Sequence, residues 1–377
     1  MSRFILFRGT SLYGSVDRML DNLAAAFRAE GDEPVIIEAA KPDYLPALQR
    51  AVAEGVDGFV GLTGIGLDLR DENNLYNTLD VPFASIYLDP LLLYWSQVET
   101  PIRRRIIFTT APDDVEYWGE RAAVRHMPHA ANPVNLLLQI PWAKRKIPVL
   151  FSGTGPEDPA QLRASWSALG VAVEQRLNDI LDAHDKDPLA PLIPLIAEIA
   201  HPVARIDEPD TLYPYFVTLD TYLRARSRWR TALALMALPT LFIGPGWDRV
   251  AAANDGPMRA TLVGEQPTAA VIEQIGQAKL VVNSCTPYHG SHERIFQAMA
   301  QRAVAFTTET SWLRNLSPEG SVAQFRAGAE DITHRADTLL EPESVAEAIA
   351  EDGYRWLSST HTWRDRVRSI KVGLMQV

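Results

Sequence analysis

A single cysteine, Cys285, stands among 377 residues, so neither an internal disulfide nor a Cys-based zinc site can form, which fits a reducing compartment. Cys285 itself reads as a packing residue at a strand end. No apolar run approaches the ~18 to 20 residues of a membrane-spanning helix, and the amino terminus MSRFILFRGT lacks the layout of a signal peptide. A cytoplasmic protein is expected. Fixed-period repeats and low-complexity tracts are also missing, which excludes solenoids and disordered tails. Positive charge is in short supply: 36 Lys and Arg face 47 Asp and Glu, a formal net charge of −11. A nucleic acid or an anionic membrane would be repelled by such an average surface, so neither is an expected partner. Local basic spots stand out at residues 103–105 and 144–146.

What is present is a rhythm. The chain exceeds the size at which one core keeps growing, so two domains are expected. Short apolar runs at 4–7, 35–37 and 58–62 alternate with helical stretches at 16–30 and 44–54, and further strands follow at 83–87, 106–108 and 123–127. Strands separated by helices imply βαβ units and a parallel sheet with right-handed crossovers. Prolines and basic residues then break the pattern, which predicts a hinge over 131–146. A second series opens at 147–151, passes through mostly helical sequence to about residue 238, and resumes with strands at 240–243, 261–263, 280–282 and 304–307. The expected fold class is α/β with two Rossmann-like domains, over 1–130 and 147–354. Helices over 342–357 and 363–374 close the chain.

The segment 279–308, KLVVNSCTPYHGSHERIFQAMAQRAVAFTT, is richest in chemistry. A β-branched strand runs into a polar loop and a helix start, and open α/β sheets bind their ligands at the carboxyl ends of strands. Asn283, Ser284, His289, Gly290, Ser291, His292, Glu293 and Arg294 crowd that place. Free N–H groups at the helix start favour an anionic group such as a diphosphate, and Arg294 adds a fork of donors. In the turn IGPGWD, Gly244 and Gly246 let the backbone approach a ligand while Trp247 covers a planar base or a sugar ring; the competing reading makes Trp247 a packing residue.

The first domain offers weaker signals. Its first loop, RGTSLYGSVD, lacks the GxGxxG spacing of a dinucleotide site. Thr10, Tyr13, Gly14 and Asp17 are acceptor-side candidates there, with Ser15 as N-cap; the simpler reading has Asp17 complementing the helix dipole. Asp89, delivered to a strand's carboxyl end ahead of Pro90, is the leading general base, against an Asx-type turn residue. His126 and His129 flank Pro128, and His129 is either the second base candidate or a structural histidine. No carboxylate stands at ligand spacing from them, so no metal site is expected. Arg224, Arg226, Arg228 and Arg230 alternate along a helix, which spreads them around it: mostly exposed surface, with one able to reach a phosphate.

Together these signals resemble the donor domain of two-domain GT-B glycosyltransferases, especially the bacterial family related to the spore-maturation protein CgeB. The resemblance is carried by the GPGWD turn, the block VVNSCTPYHGSHERIFQAMAQRAVAFTTETSWL, and MPHAANP ahead of VLFSGTG; the first domain shares only the βαβ pattern. The family's block is an Asn-ending strand, a Gly loop and Arg-x-Phe-Glu, matched here by Asn283, Gly290, Arg294, Phe296 and Gln297. Gln297 departs from the glutamate that usually binds the donor's ribose hydroxyls; it can hydrogen-bond a diol, without charge.

The resemblance implies that Arg294 and Ser291, His292 and Glu293 hold the donor diphosphate, with Ser152, Gly153 and Thr154 beside it and Trp247 and its glycines near the base. It implies a GT-B architecture with the two domains facing a cleft and residues 355–377 crossing back to the first. The implied reaction moves a sugar from a nucleotide diphosphate sugar to a hydroxyl of a protein, glycan or metabolite, without a metal or other cofactor. A sugar-nucleotide epimerase or hydrolase, and a non-catalytic sugar-nucleotide-binding protein suggested by Gln297, stay open as alternatives.

Overall fold

The structure is a computed structural model that describes all residues except 12–13, 68–73, 287, 289, 327–331 and 342. The chain divides into two compact units, residues 1–132 with 360–377, and residues 133–359.

The first unit is built on six parallel strands: β1 (Arg3–Arg8), β2 (Glu33–Glu38), β3 (Gly58–Leu62), β4 (Phe83–Tyr87), β5 (Arg105–Thr109) and β6 (Val124–His126). Their spatial order is β2-β1-β3-β4-β5-β6, so the winding reverses between β1 and β3. Alternate residues of each strand serve opposite layers. Phe7, Phe59 and Phe83 stack on one face with Tyr76 at their edge, whereas Leu6 and Val60 pack on the other against Leu20, Leu23 and Phe27. That second layer is completed by the last helix, Trp363–Leu374, through Trp363, Val367, Ile370 and Leu374. A capping box of Thr362 and Asp365 starts this helix. Arg366 then ties it down, donating to the carbonyls of Pro128 at 2.7 Å and His129 at 2.8 Å.

The second unit repeats the plan with β7 (Ile147–Ser152), β8 (Thr240–Ile243), β9 (Thr261–Val263), β10 (Ala278–Asn283), β11 (Val304–Thr308) and β12 (Ala323–Phe325). These are parallel in the order β12-β11-β10-β7-β8-β9, and the winding reverses between β7 and β10. Four α-helices, Pro159–Ala164, Val171–Lys186, Leu192–Ile199 and Pro209–Met236, separate β7 from β8.

Two boundaries differ from the sequence expectation. Residues 133–146 are built into the second unit rather than forming a free hinge. Val134 N–H donates to Ala300 O at 3.1 Å, and Arg145 donates to Ala278 O at 2.6 Å and Gln301 O at 2.5 Å. The helix Glu343–Thr360 runs to the unit boundary, so residues 355–359 stay with the second unit and the return begins at residue 360.

Candidate functional site

In a doubly wound sheet, loops part where the winding reverses and leave a crevice at the carboxyl ends of the two strands. In the second unit those strands are β7, ending in Ser152, and β10, ending in Asn283. The loop beyond β10 leads into the helix Glu293–Ala300, whose N-cap is His292: its Nδ1 accepts from Arg294 N–H at 3.3 Å. From the first turn, Arg294 reaches back to β7 and donates Nε–H to Ser152 Oγ at 2.9 Å. One guanidinium nitrogen lies 3.5 Å from where a Cβ on Gly153 would stand, an ordinary contact, but the φ of +135° would strain any residue other than glycine in that turn.

A second cation arrives from the long helix Pro209–Met236. Arg228 donates to Thr154 O at 3.0 Å. Burial, and then the neighbouring Arg294 and Arg224, hold its pKa down to about 10. Arg224 pairs with the buried Asp220 at 2.7 Å, and the other oxygen of Asp220 accepts from Tyr288 O–H at 2.7 Å. The hydrogen-bond partners of Arg228 and Arg294 are therefore neutral oxygens, and neither pairs with a carboxylate among the described residues. Like charges gathered in partial burial raise each other's cost, and an anion between them removes it.

This overturns the reading of the arginine series as mostly exposed surface. Spacing of two contains a spacing of four, which lies on one helix face. Arg224 and Arg228 share the face that meets the β7 turn. Arg226 looks elsewhere and forms a two-point pair with Asp185 at 2.5 and 2.8 Å.

The glycines of the two turns serve each other. A Cβ on Gly244 would come to 2.1 Å from Gly153 O, and one on Gly155 to 2.4 Å from the carbonyl carbon of Gly246. Backbone packs on backbone here, which gives Gly244 and Gly155 a structural reason beside any ligand approach. Trp247 is corrected: it is 1% exposed, tilts against Phe151 and Phe242 with ring centroids 4.9 Å away in each case, and donates Nε1–H to Ile243 O. A ring so enclosed cannot cover a base.

The remaining donor-side candidates sit at the end of β10, on the loop beyond it and on the helix after it. Asn283 is buried and donates to Thr307 Oγ1 at 3.1 Å. Ser284 Oγ lies 2.8 Å from Ser227 Oγ, which joins this loop to the long helix. The Gly290 carbonyl accepts from Thr310 O–H, Ser291 is buried, and Glu293 and Gln297 are half-buried one turn apart on the same helix. His289 falls outside the described residues, as does Tyr13 on the acceptor side. Cys285 packs as expected, its thiol buried with its pKa pushed up by burial.

In the first unit, Thr10 is exposed and Gly14, in the left-handed region at φ 72°, is the N-cap of the helix Ser15–Ala29, a position expected for Ser15. Asp17 accepts from Ser11 O–H at 2.7 Å and lies 3.9 Å from Arg8 Nε, within a surface ion network. Asp89 follows β4, half-buried, with Tyr94 O–H 3.5 Å away. His129 is 8% exposed and its carbonyl is held by Arg366. His126 is kept neutral: burial pushes its pKa down to about 4.

Asp114 was not foreseen. It lies beyond β5, 2% exposed, and its Oδ2 accepts both Thr109 O–H at 2.6 Å and Leu91 N–H at 2.9 Å. Burial raises its pKa to about 7. The only trace in sequence is a second carboxylate in APDD, and nothing there says which one turns inward.

Residues 225–371 match the sequence model of the glycosyl transferase-like family. The matched stretch begins inside the arginine-bearing helix and contains Arg228, Arg294 and Gln297. No curated protein matches the chain. Among solved structures, sucrose-phosphate synthase from Thermosynechococcus elongatus is similar at 12% identity and a TM-score of 0.56, over 100% of this chain and 99% of that one. HepE of Anabaena, in complex with UDP and glucose, is similar at 10% and 0.56 over 100% of both chains. The β-glucosyltransferase of T4 phage is similar at 11% and 0.52, again over 100% of both. The likeness shows the fold. Two parallel six-stranded sheets with flanking helices form the GT-B architecture of glycosyltransferases, and the chain carries a glycosyl transferase-like region on it.

Proposed function

We propose that this protein transfers a sugar from a nucleotide diphosphate sugar to a hydroxyl acceptor, with the donor held by the second unit. The observation that carries the reading is Arg228 and Arg294, two guanidinium groups held by neutral oxygens of Thr154 and Ser152 at the winding reversal. Two neighbouring positive charges suit a diphosphate, joined by the N–H groups at the start of the helix Glu293–Ala300. UDP is the first nucleotide to test, because HepE was solved with UDP and glucose.

In this reading the bond from the sugar's anomeric carbon to the diphosphate oxygen breaks as a bond to the acceptor oxygen forms. Negative charge grows on the departing diphosphate, where the two arginines stabilise it more than in the ground state. They supply the charge that a metal would otherwise provide, so no cofactor is required. The acceptor's proton passes to the Asp89 carboxylate. Gln297 hydrogen-bonds the ribose hydroxyls without charge, and Asn283, Gly290, Arg294 and Phe296 carry the CgeB-like assignment. The first unit is the acceptor module, and the cytoplasm is the compartment.

Hydrogen bonds to charged groups contribute about 1.5 to 3 kcal/mol. Arg294→Ala and Arg228→Ala are each expected to weaken UDP binding by about ten- to a hundredfold in a calorimetric titration, with the circular dichroism spectrum unchanged. Wild-type affinity in both variants would remove the donor site from this place. Asp89→Asn is expected to slow turnover while leaving UDP affinity intact; unchanged turnover moves the base elsewhere.

A further inference from the structure

The segment 133–146 carries a second feature, independent of sugar transfer. Leu136, Leu137 and Leu138 form one 3₁₀ turn and are 52%, 91% and 78% exposed, followed by Ile140 at 36%. Single exposed leucines are ordinary, but adjacent ones on a fixed turn are not. The turn is fixed. Asn135 caps it by accepting from Leu137 N–H at 3.0 Å, and Gln139 donates to Val134 O at 2.9 Å. Trp142 is buried in the core of the second unit, and Arg145 is clamped on Ala278 O and Gln301 O. The leucines are thus presented outward by a braced loop.

Those anchors also locate the turn. Ala278 begins β10, and Gln301 follows the helix Glu293–Ala300, so the segment belongs to the amino-terminal edge of the second sheet. The arginine crevice is at the carboxyl edge. A partner on the leucines therefore leaves the donor crevice of the second unit free. Exposed Lys144 and Lys146 follow within one short stretch of the turn.

We infer that this turn is a membrane-surface anchor: Leu136, Leu137, Leu138 and Ile140 enter the boundary between headgroups and acyl chains, and Lys144 and Lys146 meet the headgroup phosphates. Four side chains are few against the roughly 20 to 30 residues a side of a stable dimer, which disfavours a second copy as the occupant. They suffice for weak, reversible insertion of the kind a single lipid chain gives. The contact is peripheral, since no helix among the described residues is long and apolar enough to cross a membrane. The net charge of −11 opposes an anionic surface, so apolar insertion into a zwitterionic one carries the binding.

The full-length protein is floated with phosphatidylcholine vesicles. Wild type is expected to rise with the lipid, and Leu137→Glu/Leu138→Glu to lose at least tenfold in partitioning, with UDP affinity and thermal midpoint unchanged. Because the sole native cysteine is buried, Leu137→Cys can be labelled selectively with an environment-sensitive dye, whose emission should shift to the blue on adding vesicles. Absence of wild-type flotation, equal flotation of the double variant, or no spectral shift each overturns the inference. A concentration-dependent dimer lost in the double variant, without flotation, assigns the turn to a second copy instead.

Discussion

Asp114 and His361 oppose each other in their response to pH. Asp114 is buried with its pKa raised to about 7, so its neutral form contributes stability that is fully present below the unfolded value near 3.8 and is lost as pH rises through about 7. His361 is buried with Nδ1 2.6 Å from Arg366 Nη2, and burial, then Arg366, lower its pKa to about 3. His126 is lowered to about 4. For these two, stability is present above 6.5 and is lost as pH falls below it. Between about pH 4 and 6 the carboxyl and imidazole effects run in opposite directions, which flattens the profile. Asp114→Asn keeps an oxygen for Thr109 and Leu91 and removes the titration. The variant is therefore expected to lose stability faster than wild type on acidification, by up to about 1.4 kcal/mol per pH unit. Urea denaturation of both proteins at pH 8, 6 and 5 reads the difference; parallel profiles would show that Asp114 is ionised throughout.

At the scale of elements, periodic patterns were legible and pairings across the fold were not. Strands β3 and β4 lie where their apolar runs put them, buried along their whole length, because a doubly covered parallel strand has to be apolar on both sides. The strand β12 went unseen, since Ala323–Phe325 is three residues with one polar member. The glycines of 153–155 and 244–246 could be recognised as turns, but their reason, backbone contact with each other, joins residues about ninety positions apart and leaves no local mark. The arginine helix was misread by its period. Trp247 shows the same limit: aromatic residues after a glycine turn serve ligand or core, and only the surroundings decide. Its ring fills the space between Phe151 and Phe242, so Trp247→Ala is expected to cost about 3 to 5 kcal/mol in chemical denaturation, with UDP affinity of the folded fraction unchanged. A selective loss of UDP affinity without that destabilisation would restore the ligand-facing role.

At the scale of the whole molecule, the two-sheet plan is visible from strand counts, whereas strand order is a property of the folded chain alone, because both halves read alike in sequence. The first sheet reverses between β1 and β3 and the second between β7 and β10. The connectivity also makes the units unequal in autonomy. Residues 133–359 form a continuous piece containing all six strands of its sheet, Arg224, Arg228, Arg294 and the β7 turn. The first unit is discontinuous and takes Trp363, Val367, Ile370 and Leu374 into its core. A fragment of residues 133–359 is therefore expected to fold alone and to bind UDP within a few-fold of the full chain, while transferring no sugar. A fragment of residues 1–132 is expected to stay unfolded until a peptide of residues 360–377 restores the missing layer. Calorimetry and circular dichroism on the two fragments decide the matter. A folded 133–359 fragment whose UDP affinity drops tenfold or more would mean that the donor depends on groups from the first unit, and that the two arginines form only part of its site.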